Sequence, residues 1–114
     1  MSQAEVDAFC HTVAAVLGTD LSRRGYRCIV CKVEQDRAEC DYEGPERGLR
    51  FYFSNRDGEV GCLVETRGSW QPILSYLDFG RGMTLEQLAD VTASDREGIE
   101  ASLRFYQPFF DQLG

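Results

Sequence analysis

Five cysteines, a single histidine and a dense run of carboxylates are the side chains here with chemistry of their own. Cys28 and Cys31 stand three positions apart, a spacing at which two thiolates bind zinc or cycle as a dithiol. Their surroundings argue otherwise. Ile29, Val30 and Val33 mark a β-strand, in which side chains three apart point to opposite faces, and no glycine, proline or helix start follows to form a zinc knuckle or redox turn. Cys31, Cys40 and Cys62 fall on expected inward strand positions and read as small core hydrophobes. A metal site using those three with one further ligand is the alternative. An odd count, in a chain long enough to need no bridges, predicts reduced thiols.

His11 would have to serve any Ser-His or Cys-His pair. On a helical wheel it stands about 140° from Val6, away from the apolar stripe, so it is expected to face solvent. Gly80-Arg81-Gly82-Met83-Thr84-Leu85 starts like a dinucleotide fingerprint, but Leu85 occupies the third glycine position and no strand-turn-helix unit surrounds it. Asp78-Phe79-Gly80 matches the kinase metal-binding triplet in letters only, because a chain this short has no room for the other kinase elements. No catalytic residue, cofactor or metal is assigned.

The acids are distributed unevenly. Between Glu34 and Glu46 lie six acids and one base, Arg37, which is five of the seven net negative charges. Glu39, Asp41 and Glu43 recur at every second position, and a strand places such residues on one face roughly 7 Å apart. That predicts a negative ribbon on the outer side of a sheet, with Tyr52, Trp70 and Arg50 as neighbouring anchors. A solvated face that keeps the chain soluble is the plainer reading. A catalytic carboxylate pair at Glu39 and Asp41 lacks the burial that would raise one pKa.

The elements that must position these groups follow from hydrophobic period. Ser2 and Glu5 form a capping box, and Val6, Phe9, Cys10, Val13 and Leu17 recur at helical spacing until Gly18 offers a stop. Four strands follow. Ile29, Cys31 and Val33 form the first inward set; Ala38, Cys40 and Tyr42 the second; Leu49, Phe51 and Phe53 the third; Val60, Cys62 and Val64 the fourth. Asn55-Arg56-Asp57-Gly58 predicts a hairpin with a left-handed residue at Gly58. Trp70, Ile73, Leu74 and Leu77 fit a helix, with a strand over 73–77 as the rival. Capping boxes at Thr84 and Ser94 open two more helices, and Pro108 should break the last one between Arg104 and Gln107.

The expected fold is a single α+β domain over residues 1–114. An N-terminal helix precedes a four-stranded antiparallel meander and two or three C-terminal helices packed on one sheet face. The net charge of −7 excludes binding driven by phosphate neutralisation, so no nucleic acid is expected. No window approaches a membrane span, and charge mixed into the first ten residues is unlike a secretory signal, so the expected location is cytoplasmic. Without catalytic groups, the expectation is a binding protein rather than an enzyme. Its basic protein partner would meet Glu39, Asp41, Glu43, Tyr52 and Trp70. Size and charge alone put the chain beside bacterial immunity or antitoxin-like inhibitors of basic toxins. A secretion-chaperone-like client binder, which could be a homodimer, is one alternative. A small ligand-binding or enzymatic domain with a pocket near Phe105, Tyr106, Phe109 and Phe110 is the other.

Overall fold

The computed structural model describes residues 3–73 and 95–113. In chain order these form α1 (Gln3–Arg23), β1 (Arg27–Val33), β2 (Arg37–Glu43), β3 (Gly48–Ser54), β4 (Glu59–Thr66), β5 (Ser69–Pro72), α2 (Arg96–Tyr106) and a 3-10 helix (Gln107–Leu113). The α+β class and the antiparallel meander are as expected, but the sheet has five strands, in the order β1-β2-β3-β4-β5. The fifth strand begins where a helix was predicted, and the turn before it is the reason. Arg67 and Gly68 both have positive φ, 55° and 81°. That two-residue turn folds the chain straight back on β4 and pairs Trp70 with Glu65. Most of the stretch read as helix or rival strand, and the capping box at Thr84, lie outside the described residues, as does Ser2.

α1 buries Val6, Phe9, Val13 and Leu17 as its spacing implies, and also Leu21. It therefore runs past Gly18, because the apolar stripe continues for another turn. It ends at Gly25, whose φ is 91°. There Tyr26 N–H donates to the Leu21 carbonyl (2.9 Å) and Gly25 N–H to that of Ser22 (3.0 Å), the paired bonds that satisfy a helix's last carbonyls. His11 is exposed, as expected.

Of the two or three C-terminal helices expected, the described residues hold one α-helix continued by a 3-10 helix. The cap of α2 is Asp95 rather than Ser94, since Asp95 has the extended backbone and its Oδ1 accepts from Gly98 N–H at 2.8 Å. The break predicted at Pro108 is present. Gln107 N–H reaches back to the Arg104 carbonyl and the tighter helix begins there. Proline has no N–H with which to continue the α pattern.

α1, α2 and the 3-10 helix cover one sheet face. Beneath them Ala38, Cys40, Tyr42, Leu49, Phe51, Phe53, Val60, Cys62 and Val64 are all buried, the inward sets expected of β2, β3 and β4. Phe9 stacks on Phe53 and Phe110 meets Phe51 edge-on, both with centroids 6.0 Å apart. Each such ring or Leu removed from water contributes about 1.5–3 kcal/mol. Tyr106 adds a polar tie, its hydroxyl donating to the Val60 carbonyl at 3.0 Å. Gly58 takes the left-handed conformation the hairpin requires, with φ 63°.

β1 departs from the strict alternation. The register passes from Cys28↔Tyr42 directly to Val30↔Asp41, leaving Ile29 as a bulge. The bulge turns Cys28 to the helix side with Cys31, so the two cysteines share a face instead of opposing each other. Ile29, expected inside, is 52% exposed, as befits the bulged residue of an edge strand whose seven positions are all exposed. The expectation of reduced thiols is also corrected. Cys10 on α1 and Cys31 on β1 form a disulfide, because packing the helix across the sheet brings their Cα atoms to 6.2 Å, within bridging range.

Candidate functional site

The face of the sheet opposite the helices carries the ribbon anticipated from the acidic run. Its positions follow the register: Asp41 stands beside Arg50 and Val30, Glu39 beside Tyr52 and Lys32, Glu43 beside Gly48 and Arg27, and Glu65 beside Trp70. Glu39, Asp41, Glu43, Tyr52 and Trp70 are thus gathered on one face from β2, β3 and β5. Strand alternation accounts for Glu39, Asp41, Glu43 and Tyr52, while the turn at Arg67-Gly68 and pairing with β4 bring in Trp70.

Pairing across the strands tempers the charge. Arg50 grips Asp41 with both arms of its guanidinium, Nε to Oδ1 at 2.8 Å and Nη2 to Oδ2 at 3.0 Å. The same guanidinium lies 4.2 Å from the centroid of the Trp70 ring. The Asp41 and Glu39 carboxylates beside Arg50 raise its pKa against the opposing effect of burial, with the hydrogen bond to Asp41 the largest cause. A bidentate fork of this kind fixes geometry as well as charge. Arg37 makes a single contact within β2, Nε 3.0 Å from Glu39 Oε1, and lays its guanidinium 4.5 Å from the Tyr52 ring on the neighbouring strand. Tyr52 in turn donates to Glu59 at 2.8 Å. Burial, followed by that bond and the Glu59 charge, pushes its phenol up to about 12. Glu39 and Asp41 are therefore answered by arginines, while Glu43 has no ion pair among the described residues.

Two glycines make room for the rings. A Cβ at Gly61, the cross-strand partner of Tyr52, would stand 2.1 Å from carbons of that ring, and one at Gly48 would stand 3.2 Å from the tip of Trp70. Both rings thus lie along the sheet, spanning strands.

Where Trp70 and Asp41 end, the surface dips into an open recess of about 300 Å³ bordered by Ile29, Asp41, Glu43, Glu46, Glu65 and Trp70, with Arg47 also in its lining. Of its four carboxylates, Asp41 is held by Arg50 and Glu46 pairs with Arg47 at 3.2 Å, so Glu43 and Glu65 make it the acidic part of the face. A compact cation beside an indole is the chemistry this lining suits. Glu65 and Ile29 were not singled out from the sequence. Only the register opposite Trp70 brings in the first, and only the bulge brings in the second.

The C-terminal aromatics are packed. Phe110 and Tyr106 are buried, and Phe105 sits edge-on to both Tyr106 and Phe109 at 5.3 and 5.6 Å. A second recess, of about 320 Å³, opens beside Phe110 and Leu113 between Arg24, Tyr26 and Arg47. The metal alternative of Cys31, Cys40 and Cys62 is not assembled: Cys31 is bonded to Cys10, and β3 stands between Cys40 and Cys62. No group of three or more His, Cys, Asp and Glu among the described residues could hold a metal ion. No helix among them is long and apolar enough to cross a membrane.

What these features define is a class by architecture, an α+β meander clothed by helices on one side and bearing an ordered charged and aromatic face on the other. No family model, curated protein or solved structure matches the chain.

Proposed function

We propose that this is a non-enzymatic binding protein that engages a basic protein partner through the outer sheet face, in the manner of a bacterial immunity or antitoxin-like inhibitor acting in the cytoplasm. The observation that carries the reading is the acidic recess walled by Trp70, with Asp41, Glu43, Glu46 and Glu65 around it. An arginine or lysine of the partner enters there, its charge met by Glu43 and Glu65 and its stem lying against the indole. Arg50, already committed to Asp41, holds Trp70 in place for that contact. Rim acids accelerate encounter, while the half-buried aromatics contribute most of the affinity.

Affinity capture with the purified protein, at low and high salt, tests this. A basic protein retained by the native chain and lost by Glu43→Lys with Glu65→Lys is the expected result. Retention and salt dependence that ignore both substitutions would defeat the reading.

A small-ligand function is the second reading, favoured by the recess beside Phe110. A melting temperature that rises with the concentration of one metabolite would support it. A secretion-chaperone-like function would use exposed C-terminal rings, and Phe105, Phe109 and Phe110 are instead packed against the core.

A further inference from the structure

Four of the five cysteines meet on the helix side of the sheet at its β1 edge. The bulge at Ile29 puts Cys28 and Cys31 on one face; Cys31 pairs in register with Cys40 and is bonded to Cys10. Cys10 Sγ also lies 3.5 Å from the Glu39 carbonyl oxygen, so the helix cysteine sits over the β1–β2 pair. Cys28 and Cys40, diagonal neighbours on that face, hold their sulfurs 3.8 Å apart. The two differ in access: Cys28 is exposed and Cys40 is buried. Such a pair has the layout of an attacking thiol backed by a resolving one.

We propose that Cys28 and Cys40 are a redox-active dithiol, oxidised by a small-molecule disulfide of the glutathione class to form a second bridge beside Cys10–Cys31. Cys28, as thiolate, attacks one sulfur of the small disulfide. The S–S bond breaks, one thiolate leaves, and Cys28 carries a mixed disulfide. Cys40 then gives up its proton and attacks Cys28 Sγ, expelling the second small thiolate. The two protons from the cysteines end on the two released thiols, so one small disulfide is reduced as one protein disulfide forms.

The order follows from environment. Burial first, and then the neighbouring Cys28, push the Cys40 thiol up to about 12, which disfavours it as the first nucleophile. Capping Cys28 as a mixed disulfide removes the second of those causes before Cys40 has to react. The new bridge ties edge strand β1 to β2 at Cys28, next to Ile29, which borders the acidic recess. The proposal itself is independent of that recess's role.

The test is to equilibrate the full chain with graded ratios of oxidised to reduced glutathione, quench with acid, alkylate, and map the peptides by mass spectrometry. Fragmentation within residues 28–32 separates bonds at Cys28 from bonds at Cys31. The native chain is expected to accumulate a Cys28–Cys40 link while the buried Cys62 stays alkylatable after denaturation. Cys40→Ala should stall with glutathione on Cys28, and Cys28→Ser should leave Cys40 free, with unchanged circular dichroism as the check on folding. Three results would overturn the proposal: a stable glutathione adduct on Cys28 of the native chain, both thiols still free once Cys10–Cys31 has formed, or stoichiometric zinc that masks the cluster until chelated.

Discussion

Tyr52 occupies the space that a side chain at its cross-strand partner Gly61 would need, for a Cβ there would lie 2.1 Å from the ring. The ring lies along the sheet, its hydroxyl reaches Glu59, and its face receives Arg37. Gly61→Ala should therefore displace Tyr52 and cost about 1–3 kcal/mol, the usual range for overpacking. The midpoint of urea unfolding measures it. A neutral result would mean that the ring swings clear at no cost.

The contact between Arg50 and Trp70 can be read optically, because Trp70 is the chain's one tryptophan. Arg50→Ala should alter its fluorescence, freeing the indole from the guanidinium 4.2 Å away. Loss of the cation–π contact should cost about 0.5–1 kcal/mol. Arg50→Lys is not expected to restore it fully, since lysine lacks the planar fork that holds Asp41.

Asp20 predicts the acid limb of stability. Burial of this side chain opposes ionisation, but hydrogen bonds from Arg23 and Arg24, with Gln107 adding a further one, hold its carboxyl below the usual aspartate value of 3.8. A lowered folded pKa means that the unfolded chain binds the proton first as pH falls. The stability contributed by Asp20 is thus present above 3.8 and is lost as pH drops through the lower folded value. Asp20→Asn should flatten that limb in thermal melts taken at stepped pH, and Asp20→Ala should cost about 1–3 kcal/mol near neutrality.

The Cys10–Cys31 bridge closes a sequence separation of 21 residues. Loop-closure entropy for a ring of that size corresponds to about 3 kcal/mol. Reductant should lower the melting temperature of the native chain, while Cys10→Ser should start lower and respond much less. Equal melting with and without reductant would show that α1 packing alone secures the edge strand.

The inward sets of β2, β3 and β4 were legible because strict alternation has one solution once one face is buried. Ala38, Cys40 and Tyr42 could not turn inward without sending Glu39, Asp41 and Glu43 outward. The break at Pro108 and the turn at Gly58 were legible for a similar reason, since each depends on the local backbone of one residue. β1 was misread because a bulge is a relation between two strands. Cys28-Ile29-Val30-Cys31 looks alternate until β2 is placed beside it. Trp70 was misread because its spacing to Ile73 suits a helix, whereas the turn at Arg67-Gly68 and pairing with β4 put it in a strand that ends at Pro72, with helical backbone at Ile73.

By itself the sequence determined the α+β class, the helix-covered face and the placing of Glu39, Asp41, Glu43 and Tyr52 on the other face, all consequences of period and local conformation. Tertiary structure alone decided that Arg50 answers Asp41, that Glu65 and Ile29 border the recess, and that four cysteines meet. Those depend on which residues distant in the chain become neighbours, and register, bulge and helix docking settle that only when the whole core packs at once.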